Sequence, residues 1–318
     1  MNDHQAAVLH ALEPQVEGLI ITHLATRKNF WMPRTVLVPN GDESEPERFA
    51  LLRQEAATIP LDLRAVFVLN GLTEAGLPHF HRLLATHLGE ESHWRRWTDL
   101  WTAEEDRHDG LLHDLLRCVQ FVDIEAVESL QYQYLLSGFR PDWQQNPYKL
   151  ISYTTLQEQA TQISHGNEAQ RLKRYAPECT AILSHIPGEE WRHATVYSSL
   201  LGHILSLDTD AALVAFWEVA NDFSMPGVAM PGYEDLSYIA QWAGVFGPRD
   251  YAGILKRTLT RLRVSELSPR TDAGKEAQEL ILAKPTRLER LGELAELRKT
   301  KRGKRTISLS FLQKDIVL

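Results

Sequence analysis

The sequence predicts an all-α fold, a bundle of long helices whose interior can host a site. Apolar residues recur at helical spacing through almost all of the 318 residues, and almost nothing alternates as a strand would. Several of the helical stretches run past roughly 20 residues, and long helices joined by short turns pack most easily up and down around a shared core.

Val8, Leu9, Leu12, Val16, Leu19 and Ile20 open the chain as an amphipathic stripe. Helical patterning then covers about 61 to 88, 92 to 118, 123 to 137, 146 to 175, 177 to 206, 208 to 223, 232 to 263 with a break at Gly247-Pro248, and 271 to 302. Only Thr306 to Leu309 reads as a short strand. No Gly/Ser/Pro-rich linker divides the chain, so one all-helical domain over 1–318 is expected, with a core bundle at about 61–223 and C-terminal helices with a basic tail over 224–318.

Composition narrows the function. Apolar residues make up 43% and charged residues 24%, which excludes a collagen-like or mainly disordered chain. A net charge of -8 repels nucleic acid and anionic lipid, so an acidic partner must meet a local basic patch. No apolar run reaches membrane-spanning length, and the start MNDHQAAVLHALEPQVEG lacks the features of a signal or transit peptide, so the chain reads as soluble and unprocessed. Cys118 and Cys179 stand far apart in predicted helices and read as reduced, buried thiols.

Two segments repeat one pattern, Glu-Glu-x-Arg-His: AEEDRH over 103–108 and GEEWRH over 188–193. In each, the second Glu and the His stand three apart, so on a helix Glu105 with His108, and Glu190 with His193, share a face and can reach one ion. A single such pair ordinarily marks a solvated helix surface. Here two more glutamates follow the same spacing: Glu74 lies 31 residues before Glu105, and Glu158 lies 32 before Glu190. Two Glu-x-x-His motifs plus one Glu from each of two further helices is the ligand set of di-iron and di-manganese carboxylate bundles. Carboxylates are hard donors suited to high-valent iron, and one imidazole per metal leaves positions open for oxygen.

With these residues in view, the chain resembles the soluble acyl-ACP desaturases, the family of the plant stearoyl-acyl-carrier-protein enzymes and their actinobacterial relatives. The resemblance rests on WTAEEDRHDGLL, LTEAGLP, NPYKLISYTTLQEQATQISHGN, EEWRHATVY, SMP and RDYAGIL, which together span nearly the full length. It implies a ferritin-like di-iron bundle with flanking helices. Glu74, Glu105, His108, Glu158, Glu190 and His193 would hold two iron ions. It also implies a hydroxyl role for Thr161 beside the oxygen-binding face and a place for Trp31 in a relay from the surface to the iron. Glu189 stands where the family usually has an Asp that orients a His ligand. His165 matches the family but stays outside the ligand set, which six residues already fill.

The implied activity is introduction of a cis double bond into a saturated acyl chain on acyl carrier protein, using O2 and electrons from ferredoxin. A homodimer and a cytoplasmic location are implied too, or the plastid stroma if a transit peptide has been removed. Lys256, Arg257, Arg261 and Arg263 on one predicted helix, and RKTKRGKR over Arg298–Arg305, are basic segments for an acidic carrier; Arg192 joins Lys256, Arg257 and Arg261 as a candidate carrier contact. Two alternatives stand beside this: a di-iron oxygenase that hydroxylates a carrier- or CoA-bound chain, and an iron- or carrier-binding homologue without turnover. Three further departures from the family pattern stand beside Glu189, and the first bears on the homologue without turnover. Pro187-Gly188 predicts a kink or late helix start, Ala194 replaces a frequent Glu, and Ala75-Gly76 replaces a more helix-forming pair.

Overall fold

The apolar stripes read above become helices that end where their caps dictate. The computed structural model describes residues 1–89, 92–141, 143, 145–301 and 305–318. In chain order the helices are α1 (Asp3–Ala11), α2 (Glu13–Thr26), α3 (Pro33–Leu37), α4 (Glu45–Ala56), α5 (Leu61–Glu74), α6 (Leu77–Leu88), α7 (His93–Val119) and α8 (Ile124–Ser137). There follow α9 (Pro147–Leu172), α10 (Pro177–Leu183), α11 (Ile186–Leu207), α12 (Thr209–Asn221), α13 (Tyr233–Trp242), α14 (Pro248–Arg261) and α15 (Asp272–Lys301). A two-stranded antiparallel ribbon closes the chain, β1 (Thr306–Ile307) on β2 (Ile316–Val317), with Thr306 opposite Val317. The class is the all-α bundle expected. Among the described residues no helix is long and apolar enough to cross a membrane. Cys118 and Cys179 are buried and unbridged.

Departures from the sequence reading have local causes. The stretch 61–88 is two helices, parted at Ala75-Gly76, where a Cβ on Gly76 would collide with the Tyr134 hydroxyl from α8. The stretch 177–206 is also two, and α11 starts late, at Ile186, with Pro187 in its first turn. There the missing N–H has no intrahelical partner to lose, so the proline does not interrupt the helix that follows. Neither α3 nor α4 was foreseen. The only buried side chains of α4 are Leu52 and Ala56, too thin a stripe to read as a period. In the basic tail, residues 302–304 and the side chains of Arg298 and Lys301 lie outside the described residues. Lys299 donates to the Gln241 and Trp242 carbonyls and Arg305 pairs with Asp235, so both are tied to α13.

Among the described residues the buried apolar side chains form two clusters, and three helices pass through both. In α7, Trp94, Trp97 and Trp101 belong to one and Leu111, Leu112 and Leu115 to the other. In α9 the change falls between Ala160 and Ala169, and in α11 between Ile186 and Val196. At each change of cluster the sequence turns polar: Glu104 to His108, Thr161 to His165, Glu189 to His193. The polar residues therefore meet in a layer between two apolar masses.

Candidate metal centre

Within that layer α5, α7, α9 and α11 bring the six expected residues together, each less than a tenth exposed. Ligand atoms of Glu74, Glu105, His108 and Glu190 lie within 4.8 Å of one another, and so do those of Glu105, Glu158, Glu190 and His193. Glu105 and Glu190 belong to both groups. Such an arrangement suits two cations side by side with two carboxylates able to bridge them.

Atom by atom, the inward faces are left open. His193 Nδ1 lies 2.8 Å from Glu105 Oε1 and 3.5 Å from Glu158 Oε2; His108 Nδ1 lies 3.2 Å from Glu105 Oε2 and 3.1 Å from Glu190 Oε1. Yet Glu105 Oε1, His108 Nδ1, Glu158 Oε2, Glu190 Oε1 and His193 Nδ1 all lack a hydrogen-bond partner. One orphaned buried group costs about 1–3 kcal/mol, so five converging on one point are hard to sustain without a ligand. Their chemistry, hard oxygens with one imidazole nitrogen per group, fits divalent metal.

The outward ring nitrogens, by contrast, are engaged, and the two motifs hold each other crosswise. His108 Nε2 meets Glu189 at 3.1 Å, and Arg107 Nη2 donates to both Glu189 oxygens at 3.0 and 2.9 Å. Reciprocally, His193 Nε2 meets Glu104 at 2.8 Å, and Arg192 Nη2 donates to both Glu104 oxygens at 3.1 and 3.2 Å. The helical period explains this: the first Glu and the Arg of each motif are three apart, as are the second Glu and the His, so one pair faces the centre while the other reaches the opposite motif. A carboxylate behind each imidazole keeps the proton on Nε2 and leaves Nδ1 free to ligate.

The remaining contacts are unequal. Thr161 Oγ1 donates to Glu190 Oε2 at 2.7 Å, and Trp101 Nε1 donates to Glu158 Oε1 at 3.0 Å. His165 stays outside the six and supports one of them, its Nε2 lying 2.8 Å from Glu74 Oε1. Trp31 lies flat on His108, with ring centres 6.0 Å apart and planes 10° from parallel, and its carbonyl accepts from Arg107 at 2.8 Å.

Burial and the neighbouring charges pull the acids here in opposite directions. Burial pushes Glu74 up to about 7, with Glu190 and Glu105 adding to the rise and His165 opposing it. Burial likewise raises Glu158 well above the ordinary range, reinforced by Glu105. For Glu104 and Glu189 burial is outweighed by hydrogen bonds from His193 and His108, and both carboxyls fall below the ordinary range.

Arg192, expected to face a carrier, is turned inward onto Glu104, with its side chain only 16% exposed. Lys256 pairs with Glu289 at 2.5 Å. Arg257 and Arg261 remain at the surface, lining a small pocket with Trp191 and Ser198 on the outer side of α11. Sequence reasoning missed Glu104, His23 and Trp101. The repeated Glu doublet was the available signal for Glu104; the other two stand in no repeat.

The fatty acid desaturase family model matches residues 4–313. The chloroplastic stearoyl-[acyl-carrier-protein] 9-desaturase of Gossypium hirsutum is 32% identical over 316 residues, covering 93% of this chain and 78% of its own. The chloroplastic acyl-[acyl-carrier-protein] desaturase of Cucumis sativus is 33% identical over 312 residues, covering 93% and 78%. The X-ray structure of DesA2 of Mycobacterium tuberculosis H37Rv, assigned to the acyl-ACP desaturases, superposes with a TM-score of 0.61 at 21% identity over 85% of this chain and 99% of that one, a likeness of fold. On a match that runs almost from end to end, the chain belongs to the fatty acid desaturase family.

Proposed function

We propose that the protein desaturates a saturated acyl chain carried on acyl carrier protein, at a di-iron centre held by Glu74, Glu105, His108, Glu158, Glu190 and His193. The observation that carries this reading is the set of inward-facing carboxylate and imidazole atoms, buried and without partners, in two groups that share Glu105 and Glu190. Bound iron supplies the O2-dependent removal of hydrogen from an unactivated methylene, which side-chain acids and bases cannot achieve.

The chain's own residues position and insulate. Glu104 and Glu189 orient the two imidazoles from behind, and Thr161 holds one oxygen of Glu190. From Glu158 a file of rings leads outward: Trp101, Phe80 at 6.4 Å, Tyr153 at 6.1 Å and Trp143 at 5.0 Å, each distance taken from the ring before. It ends in a surface cavity of about 490 Å³ lined partly by Phe139, Trp143, Tyr153 and Phe223. In this reading the acyl chain enters from that cavity and lies against the file of rings, which exclude water and set which carbon pair meets the metals. Trp31, stacked on His108, is the arm for electrons from a ferredoxin-type donor, and the enzyme works as a homodimer.

The deciding experiment gives the iron-loaded protein acyl carrier substrates, ferredoxin and O2, and weighs the product. Loss of two hydrogens supports desaturation. Gain of one oxygen would make the enzyme a hydroxylase, and O2 left unconsumed would make it a non-catalytic homologue.

Arg257 and Arg261 are the carrier's docking cations in this reading. Reversing both to Glu should weaken binding of acyl carrier protein at least about tenfold at low salt, with the difference shrinking as salt screens it. Titration calorimetry at two ionic strengths checks this, and an unchanged affinity would move the docking surface elsewhere.

A further inference from the structure

His23 lies on α2, outside the four helices that supply the six central residues, yet it is buried and aimed at the centre. Its Nε2 is 2.7 Å from Glu104 Oε2, the same oxygen that receives His193 Nε2 at 2.8 Å. Its ring also lies on that of His193, with centres 5.6 Å apart and planes 18° from parallel. On the opposite side Trp31 occupies the matching place against His108. The N-terminal segment thus sends one ring to each central imidazole, and only His23 bonds directly to the carboxylate behind it.

The two carboxylates need unequal help. Glu189 is gripped by an Arg107 side chain that is 6% exposed, whereas the Arg192 side chain that grips Glu104 is 16% exposed and accessible to water. Arg27 Nε comes only to 3.6 Å of Glu104. A carboxylate held by a guanidinium that water can partly reach is freer to rotate, and the imidazole depending on it is then less firmly oriented. His23, with its side chain 1% exposed, closes that gap from the dry side.

We propose that His23 is a positioning residue for one of the two metals: it pins Glu104, and through Glu104 it fixes His193 and the ion that His193 holds. The inference rests on the di-metal reading above and assigns to the N-terminal segment a part in retaining the metal. Removing His23 loosens one ion of the pair, while the ion on the His108 side, secured by Glu189, Arg107 and Trp31, keeps its hold.

The test loads full-length protein with two Fe(II) per chain and follows release to a chelator, with a Mössbauer spectrum of the loaded state. In His23→Leu one ion should leave about 10–100-fold faster and one quadrupole doublet should shift, while the other ion and doublet stay as in the wild type. His23→Gln, which keeps an N–H donor, should recover part of the difference. Ile20→Ala, at a fully buried position one turn earlier on α2, controls for simple loosening of that helix. The proposal is overturned if both ions leave His23→Leu at wild-type rates, or if both accelerate together as in Ile20→Ala. A wild-type chain that holds no iron would overturn the di-metal reading as well, so the two failures are distinct.

Discussion

In Glu105→Ala the iron content should fall from about two per chain to about one or fewer, and turnover should drop on the order of 10³-fold or more, equivalent to several kcal/mol of lost metal-assisted stabilisation. Glu105 is singled out because it belongs to both ligand groups, with its oxygens 2.8 Å from His193 and 3.2 Å from His108. Losing it weakens both positions at once, whereas Glu74 or Glu158 each serve one. The loss need not come from unfolding, since alanine removes one of four crowded buried carboxylates. The metal-free variant should keep its helical circular dichroism, and iron analysis beside that spectrum checks the claim. Two irons per chain in Glu105→Ala would remove Glu105 from the centre.

Stripping the metal should lower the melting temperature on the order of 10 °C, and more at high pH than at low. Saturating each of two sites at a thousand times its dissociation constant adds about 4 kcal/mol per site, and a chain of this size gains roughly 1.5 °C per kcal/mol. The pH dependence follows from the carboxyls that burial has raised. Glu74 is pushed up to about 7 from an ordinary 4.5, and Glu158 is raised in the same direction. In the metal-free protein their folded forms hold protons more tightly than their unfolded forms do. Their contribution to stability is therefore present below the ordinary value and is lost as pH rises through the folded one. Metal binding requires the same groups deprotonated, so its contribution grows across that window. Differential scanning calorimetry of holo and apo protein at about pH 5 and about pH 8 reads the gap directly. A gap that does not change with pH would contradict the assignment of Glu74 and Glu158 as ligands.

Much of the centre was legible because the sequence states it twice. Glu74, Glu105 and His108 have counterparts in Glu158, Glu190 and His193 at nearly constant offset, and a repeat of that kind survives without knowledge of the fold. Residues with no counterpart stayed hidden. His23 meets Glu104 across 81 positions and Trp101 meets Glu158 across 57, distances over which only tertiary packing decides contact. Glu104 stood in plain view in the doublet, but its task depends on which neighbour the helix turns it toward. Arg192 misled for the same reason: a cation in a polar stretch reads as surface until its carboxylate is found. At Gly76 a side chain would likewise meet Tyr134, a residue remote in sequence. Pro187 was legible and harmless, since the first turn of α11 is where a proline fits.

The exchange of carboxylate and guanidinium between the two motifs has a consequence for anyone building chimeras of this family. A segment over 103–108 transplanted from a relative would carry its own inner ligands but would present a foreign Glu104 and Arg107 to the recipient's His193 and Glu189. A donor with Asp at the position of Glu189 carries a shorter arm there, tuned to its own opposite number. Grafts should therefore travel as matched pairs, and a single-segment swap should show its defect on the half of the molecule that was left untouched.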